Sequence, residues 1–257
     1  MIDNATLLAA LPEWAFAFVL VMARVGSAIM FLPAFGEADP PPLLRVGFAL
    51  GITILLLPGI APSIPQVPEA GTQALLMVAA EVGTGAWLGW LARILVLALP
   101  VAGQFLSYML GIANVLQPDP TLGAQATPIS RLLDIAAPLL VLVTGLYAVP
   151  LAALAGSYRL IPPGAPLPLD AADVAVQMVV QSFALAVRLA SPFLLATIIW
   201  HVATGLLARL VPRIQVYFVV MPAQILGGIL LLAIVAGTLL SAWQDALRTG
   251  LASLPGL

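Results

Sequence analysis

The chain has 257 residues, of which 62% are hydrophobic and 8% charged, with a net charge of -2 and a mean hydropathy of +1.13. A soluble domain carries about 25% charged residues to cover its surface. The 9 basic residues, all Arg, and 11 acidic ones are too few for a water-facing shell or a basic nucleic-acid surface. With no Cys and a single His, His201, the sequence offers no disulfide framework, no thiol nucleophile and no Cys-ligated metal.

Crossing about 30 Å of hydrocarbon takes roughly 20 apolar residues in a helix, and several stretches reach that length. The start, Met1-Ile2-Asp3-Asn4, has no basic region and does not read as a cleaved signal peptide. Trp14 to Phe35 is apolar apart from Arg24. After a Pro-rich turn at Gly36 to Pro42, Val46 to Pro68 carries no charge, and its helix is expected to stop near Pro58. Thr72 to Leu99 is apolar but holds Glu81 and Arg93, and Ile94 to Pro118 is charge-free. A Pro/Gly/Gln-rich insert, Leu116 to Pro128, separates this block from the charge-free run Ile135 to Tyr158. The connector Leu160 to Asp173 leads to Val174 to Leu207, which contains Arg188 and His201. Beyond Val211-Pro212-Arg213, Ile214 to Gln244 is again charge-free. None of these runs alternates with the period of a barrel strand. The expectation is an all-α, multi-pass integral membrane protein with about six to seven apolar helices, in which the long middle segments bend or split. The Arg residues are spread along the whole chain, so loop charge gives no orientation.

Charges inside apolar runs are the first candidates for function. Facing lipid, Arg24, Glu81, Arg93 or Arg188 would each cost about 3 kcal/mol. They must pair, face protein or line water. One reading is a conduction path or a contact between subunits; the other is snorkelling at helix ends, or an internal Arg–Glu pair that fixes packing. Arg93 lies too far along from Glu81 to be its helical neighbour. Small residues recur at four-residue spacing in Gly47/Gly51, Gly85/Gly89 and Gly103/Ser107/Gly111, which puts each set on one helix face. These ridges serve either assembly with other membrane subunits or packing within the chain. The insert holds Gln117, Asp119, Thr121, Gln125 and Thr127 among three prolines and cannot continue a helix. Buried, it is a gate or plug; at the surface, it is a turn. His201 lacks a second His or Cys and is expected to be hydrogen-bonded between helices. No nucleophile elbow, phosphate loop or paired His/Glu metal motif is present, so the chain reads as no enzyme, with no cofactor and no metal.

The order of short motifs along the chain resembles the FliR family of flagellar biosynthesis proteins and the related SctT family of virulence injectisomes. The opening block is Ala23-Arg24-Val25-Gly26 through Phe31-Leu32-Pro33-Ala34-Phe35-Gly36, followed by Arg45 and the apolar run to Pro58. Next come Glu81-Val82-Gly83 to Gly89 and Arg93, leading into Ala102-Gly103-Gln104, and then Gly111 to Asp119-Pro120. Ser157-Tyr158-Arg159 precedes Pro162-Pro163-Gly164. The last block is Ala190-Ser191-Pro192, Gly205-Leu206-Leu207-Ala208-Arg209-Leu210-Val211-Pro212 and Val216-Tyr217-Phe218. Arg213 follows Pro212 where the family usually has Gln.

The resemblance implies an export-gate subunit of the flagellar type III secretion apparatus. Such a subunit lies in the bacterial inner (cytoplasmic) membrane at the flagellar basal body. One copy assembles with FliP-like and FliQ-like subunits into a pore for unfolded export substrates, with an FlhB-like switch protein nearby and lipid around it. It also implies helical hairpins in two parts. Residues 1–160 would be FliP-like and include the 111–128 loop, and residues 161–257 would be FliQ-like. By position, Met109, Gly111, Asn114 and Leu116 through Gln117, Pro118, Asp119 and Pro120 to Leu122 match the family's plug loop. Arg24, Glu81, Arg93, Gly85, Gly89, Gly103, Arg188, Arg209 and Pro212 would serve subunit packing and intramembrane polar contacts. The alternatives are the injectisome version of the gate and a small-solute transporter, whose site would be built from broken helices at the midplane.

Overall fold

Away from water, each backbone N–H and C=O must be satisfied within the protein, and long apolar runs achieve this as helices. The computed structural model describes residues 4–37, 41–112, 127–210 and 216–257. Among them are seven α-helices and one 3-10 turn, Ala61–Ser63, and no strand. The helices are α1 Asn4–Phe31, α2 Pro42–Ile60, α3 Gly71–Met109, α4 Pro128–Val143, α5 Ala148–Leu160, α6 Ala171–Leu210 and α7 Val216–Leu251.

Five of these are long and apolar enough to cross a membrane: α1, α2, α3, α6 and α7. The pair α4–α5 adds a sixth when its two arms, bent by 70°, are taken as one span. The chain is an all-helical, multi-pass membrane protein. Two expected boundaries move. Thr72–Leu99 and the part of the next run from Ile94 to Met109 do not form separate helices but merge into α3, which runs 39 residues through Pro100. The run Ile135–Tyr158 is broken instead, at Thr144 to Tyr147, where Gly145 takes a φ of 72° that a residue with a Cβ rarely adopts. Pro58 sits in the last turn of α2, which ends at Ile60.

Helix length is unusual. At 1.5 Å per residue, α3, α6 and α7, with 39, 40 and 36 residues, extend ~58, ~60 and ~54 Å, nearly twice a bilayer's hydrocarbon. They also differ in cover: 61% of the spanning window of α3 is buried, against 11% of that of α7. So α3 is a core element, and α7 presents most of its apolar surface outward.

The chain forms two compact units. One comprises Met1–Leu95, Val141–Met178 and Gly250–Leu257, and the other Val96–Leu140 and Val179–Thr249. In the first, Leu20, Val21, Val25, Ala28 and Ile29 of α1 pack in a core with Leu88, Leu91 and Ala92 of α3, Leu154 of α5 and Leu251 and Leu254 near the C-terminus. In the second, the core gathers Leu99, Ala102 and Leu106 of α3, Ala137 of α4, Phe193 of α6 and Trp243 and Leu247 of α7. Phe105 and Phe183 meet edge to face, with ring centroids 5.9 Å apart.

Candidate functional site

In the first unit, Arg24 and Glu81 form an ion pair with neither side chain exposed (0% for both). The approach of α1 to α3 makes this possible. A Cβ on Gly85 would collide with the Arg24 carbonyl, and one on Gly89 with the Ala28 carbonyl. The ridge Gly85/Gly89 therefore packs against α1 within the chain, and Glu81, one turn earlier on α3, is brought up to Arg24.

The pair is bidentate. Arg24 Nε donates to Glu81 Oε2 at 2.7 Å, and Nη2 donates to Oε1 at 2.8 Å. The remaining nitrogen, Nη1, donates to the Ile161 carbonyl at 3.0 Å and to Ser157 Oγ at 3.3 Å. Glu81 Oε1 also accepts from the Gly164 backbone N–H at 2.7 Å. The Tyr158 ring lies under the guanidinium, with its centroid 4.1 Å from Cζ. A buried carboxylate thus has three donors, and a buried guanidinium has four hydrogen bonds and an aromatic face, which is the saturation such a pair needs away from water. Gly164, with a φ of 81°, turns the connector so that its N–H is free to reach Glu81. The cluster ties α1, α3, α5 and the connector after α5 together. Through the Ile161 carbonyl and the Gly164 N–H it holds backbone in place.

The other charges expected to matter behave differently. Arg93 donates to Glu37 at 2.9 Å, both side chains about a quarter exposed (27% and 26%). Arg45 also reaches this turn, donating to the Glu37 carbonyl. Arg188 and Arg209 are exposed and make no ion pair with any described residue. His201 does not bridge helices: its Nδ1 lies 2.8 Å from the Thr197 carbonyl one turn earlier on α6. Gly103 faces α4, where a Cβ would come within 2.9 Å of Ser130 Cα. Gly47 and Gly51 on α2 have nothing described within 4 Å. Asn114, Leu116, Gln117, Pro118, Asp119, Pro120, Leu122 and Pro212 lie outside the described residues.

In the second unit, Met109 and Gly111 stand where α3 ends. The last carbonyls of a helix lack partners within it. Here the Met109 carbonyl accepts from Thr197 Oγ1 of α6 at 3.2 Å and from Gln224 Nε2 of α7 at 3.1 Å. The helix closes with Gly111, whose φ of 74° and N–H to the Tyr108 carbonyl at 3.2 Å form a left-handed cap. Leu110 packs tightly on Gly228 of α7, where a Cβ would meet its side chain. A cavity of about 200 Å³ adjoins this helix end, lined among others by Trp200, whose indole N–H is buried without a partner among the described residues. On the far side of the undescribed stretch, Thr127 caps α4: its Oγ1 accepts from the Ser130 N–H at 3.4 Å, and Pro128 opens the helix. Gln104 on α3 accepts from that hydroxyl at 3.0 Å.

Reading the sequence for charges misses Thr197 and Gln224. Their signal is weaker: each is an isolated uncharged polar group in a long apolar helix, a few residues after a proline, Pro192 or Pro222. Glu37 was likewise hidden in a turn.

The sequence from residue 15 to residue 250 matches the family model described as bacterial export proteins, family 1. The chain belongs to this family, the FliR family. It is 31% identical over 230 residues to the flagellar biosynthetic protein FliR of Caulobacter vibrioides, covering 89% of this chain and 92% of that one. It is 26% identical over 224 residues to FliR of Bacillus subtilis, covering 85% of each. With FliR of Escherichia coli it shares 25% identity over 224 residues, 86% of this chain and 84% of that one. Arg24, Glu81, Ser157 and Gly164, which meet in the ion-pair cluster, all lie inside the matched span.

Proposed function

We propose that this chain is an export-gate subunit of the flagellar type III secretion apparatus, seated in the bacterial inner membrane at the flagellar basal body. One copy joins FliP-like and FliQ-like subunits around a pore for unfolded flagellar proteins, with an FlhB-like protein nearby. Membership of the bacterial export family, and relatives named for flagellar biosynthesis, support the flagellar system over its injectisome counterpart.

One observation carries the assembly part of the reading: apolar helices too long and too bare for a solitary bilayer protein. Even tilted by 40°, the steep end of the usual range, a helix of ~54 Å such as α7 still spans ~41 Å along the normal, well beyond the hydrocarbon. With 11% of its spanning window buried, α7 has apolar surface for neighbours along its length. Protein partners that continue above the bilayer cover such surface; lipid covers only the part at membrane depth. Residues 1–160 act as the FliP-like part and 161–257 as the FliQ-like part.

Within that gate, the segment from Met109 and Gly111 through Asn114 to Leu122 is the plug. Its sequence carries the prolines Pro118 and Pro120 and the apolar side chains of Met109, Leu116 and Leu122, which exclude ions. The test is conductance of cells that make this chain with its FliP-like and FliQ-like partners, comparing wild type with a deletion of residues 116–125. Membranes that leak ions while the complex still assembles support the plug. An assembled complex that stays tight overturns it, and failure of the three proteins to co-purify overturns the gate.

A further inference from the structure

We infer that Thr197 and Gln224 are positioning residues: a two-donor clamp on the Met109 carbonyl that fixes the root from which the chain enters residues 113–126. This deepens the plug reading and rests on it for its consequence in export, though not for its geometry.

The carbonyl belongs to the final residue of α3, and the two donors come from α6 and α7 at 3.2 and 3.1 Å. A helix end in water needs no such partners, because water bonds its last carbonyls. In an apolar setting an unmet carbonyl is costly, so the two hydroxyl and amide donors are what allow α3 to stop at this level. Among the described residues few other polar groups adjoin the site: the Trp200 indole N–H and His201 Nδ1, which lies 2.8 Å from the Thr197 carbonyl. In α7, Gln224 is followed by apolar residues and glycines up to Thr238, and in α6, Thr197 is surrounded by Leu194, Leu195, Ile198 and Ile199. Two further contacts hold the same turn: Leu110 sits on Gly228, and Gly111 adopts the left-handed cap. The clamp is nevertheless releasable. It is made of two neutral hydrogen bonds, and it adjoins a cavity of about 200 Å³ into which the turn has room to shift. The Trp200 indole N–H beside that cavity, buried and without a partner among the described residues, is a further donor that a shifted carbonyl would find.

A chain without cysteine makes the test direct. Two single-cysteine reporters are made in the full complex: Ile112→Cys, at the buried root (8% exposed), and Leu239→Cys, buried in α7 (5% exposed). Each is labelled with a membrane-permeant maleimide in the parent and in Thr197→Val, Gln224→Met and the double variant, shapes close to the originals but without the donors. Loss of two ordinary hydrogen bonds predicts about tenfold faster labelling at position 112 in the double variant, no change at position 239, and recovery with Thr197→Ser. Equal labelling of parent and double variant at position 112 overturns the clamp. So does an increase at both reporters, which reports loosening of the whole unit. Conductance of the same cells is read beside the 116–125 deletion and separates the two ideas. If the deletion stays tight while labelling at 112 accelerates, the plug falls and the clamp stands. If the deletion leaks and labelling does not change, the plug stands and the clamp falls.

Discussion

Arg24 and Glu81 face each other in a fixed polarity, and that polarity makes their substitutions unequal. Removing either partner leaves the other charged and enclosed, which costs about 3–5 kcal/mol. Arg24→Ala or Glu81→Ala should therefore abolish accumulation of the folded chain, read by protease resistance of membranes. An apolar pair, Arg24→Met with Glu81→Leu, should lose less than either single change, since it strands no charge. Exchanging the two residues should not rescue. A glutamate at position 24 would face the Ile161 carbonyl, acceptor against acceptor, and an arginine at 81 would face the Gly164 N–H, donor against donor. Rescue by the exchange would mean that only the net charge matters. Arg93→Gln should cost about 1 kcal/mol or less, because its pair with Glu37 is a quarter exposed. The sequence singles out Arg24 and Glu81 because a charge in an apolar run stands out. It does not pair them, since they are 57 residues apart. Nor does it disclose their other partners, two of which are main-chain groups that any residue could supply.

At the scale of elements, small residues and breaks set the architecture. The spacing of Gly85 and Gly89 marks a close approach, but spacing alone leaves open whether the neighbour lies inside the chain. The structure puts α1 there, with backbone carbonyls that cannot yield to a methyl group. Gly85→Ala should separate α1 from α3 and weaken the Arg24–Glu81 pair, whereas Gly51→Ala, which meets nothing described within 4 Å, should leave the stability of the chain intact. Protease resistance of the two variants, compared side by side, checks this. The bend between α4 and α5 was not legible because Thr144 to Tyr147 carries neither charge nor proline inside a charge-free run, and its one Gly is a residue that membrane helices also hold; the φ of 72° at Gly145 betrays it. Gly145→Ala should cost about 1–2 kcal/mol through that left-handed backbone, measured as a lower midpoint of thermal aggregation. Conversely, Pro100 reads as a breaker, yet α3 passes through it, since packed neighbours override local preference.

For the whole molecule, the apolar surface left by α2 and α7 is the dominant property. Only 17% and 11% of their spanning windows are buried. Made alone, the chain should aggregate or be degraded, and co-production with the proposed FliP-like and FliQ-like partners should raise its level several-fold by quantitative blotting; equal levels with and without them would argue for a self-sufficient protein. The membrane class and most helices were legible from composition and run length, because the hydrocarbon imposes both. The meeting of distant polar groups was not, since it depends on tertiary placement. The Arg24 cluster also has a history in time. Synthesis proceeds at about 5–20 residues per second. Arg24 therefore waits about 3–11 s for Glu81 to emerge, 57 residues on, and about 7–27 s for the Ile161 carbonyl, 137 residues on. Until Glu81 is made the first span carries an unanswered positive charge, and α1 reaches its final seat only once Ile161 is present, after the ribosome has made more than half of the chain.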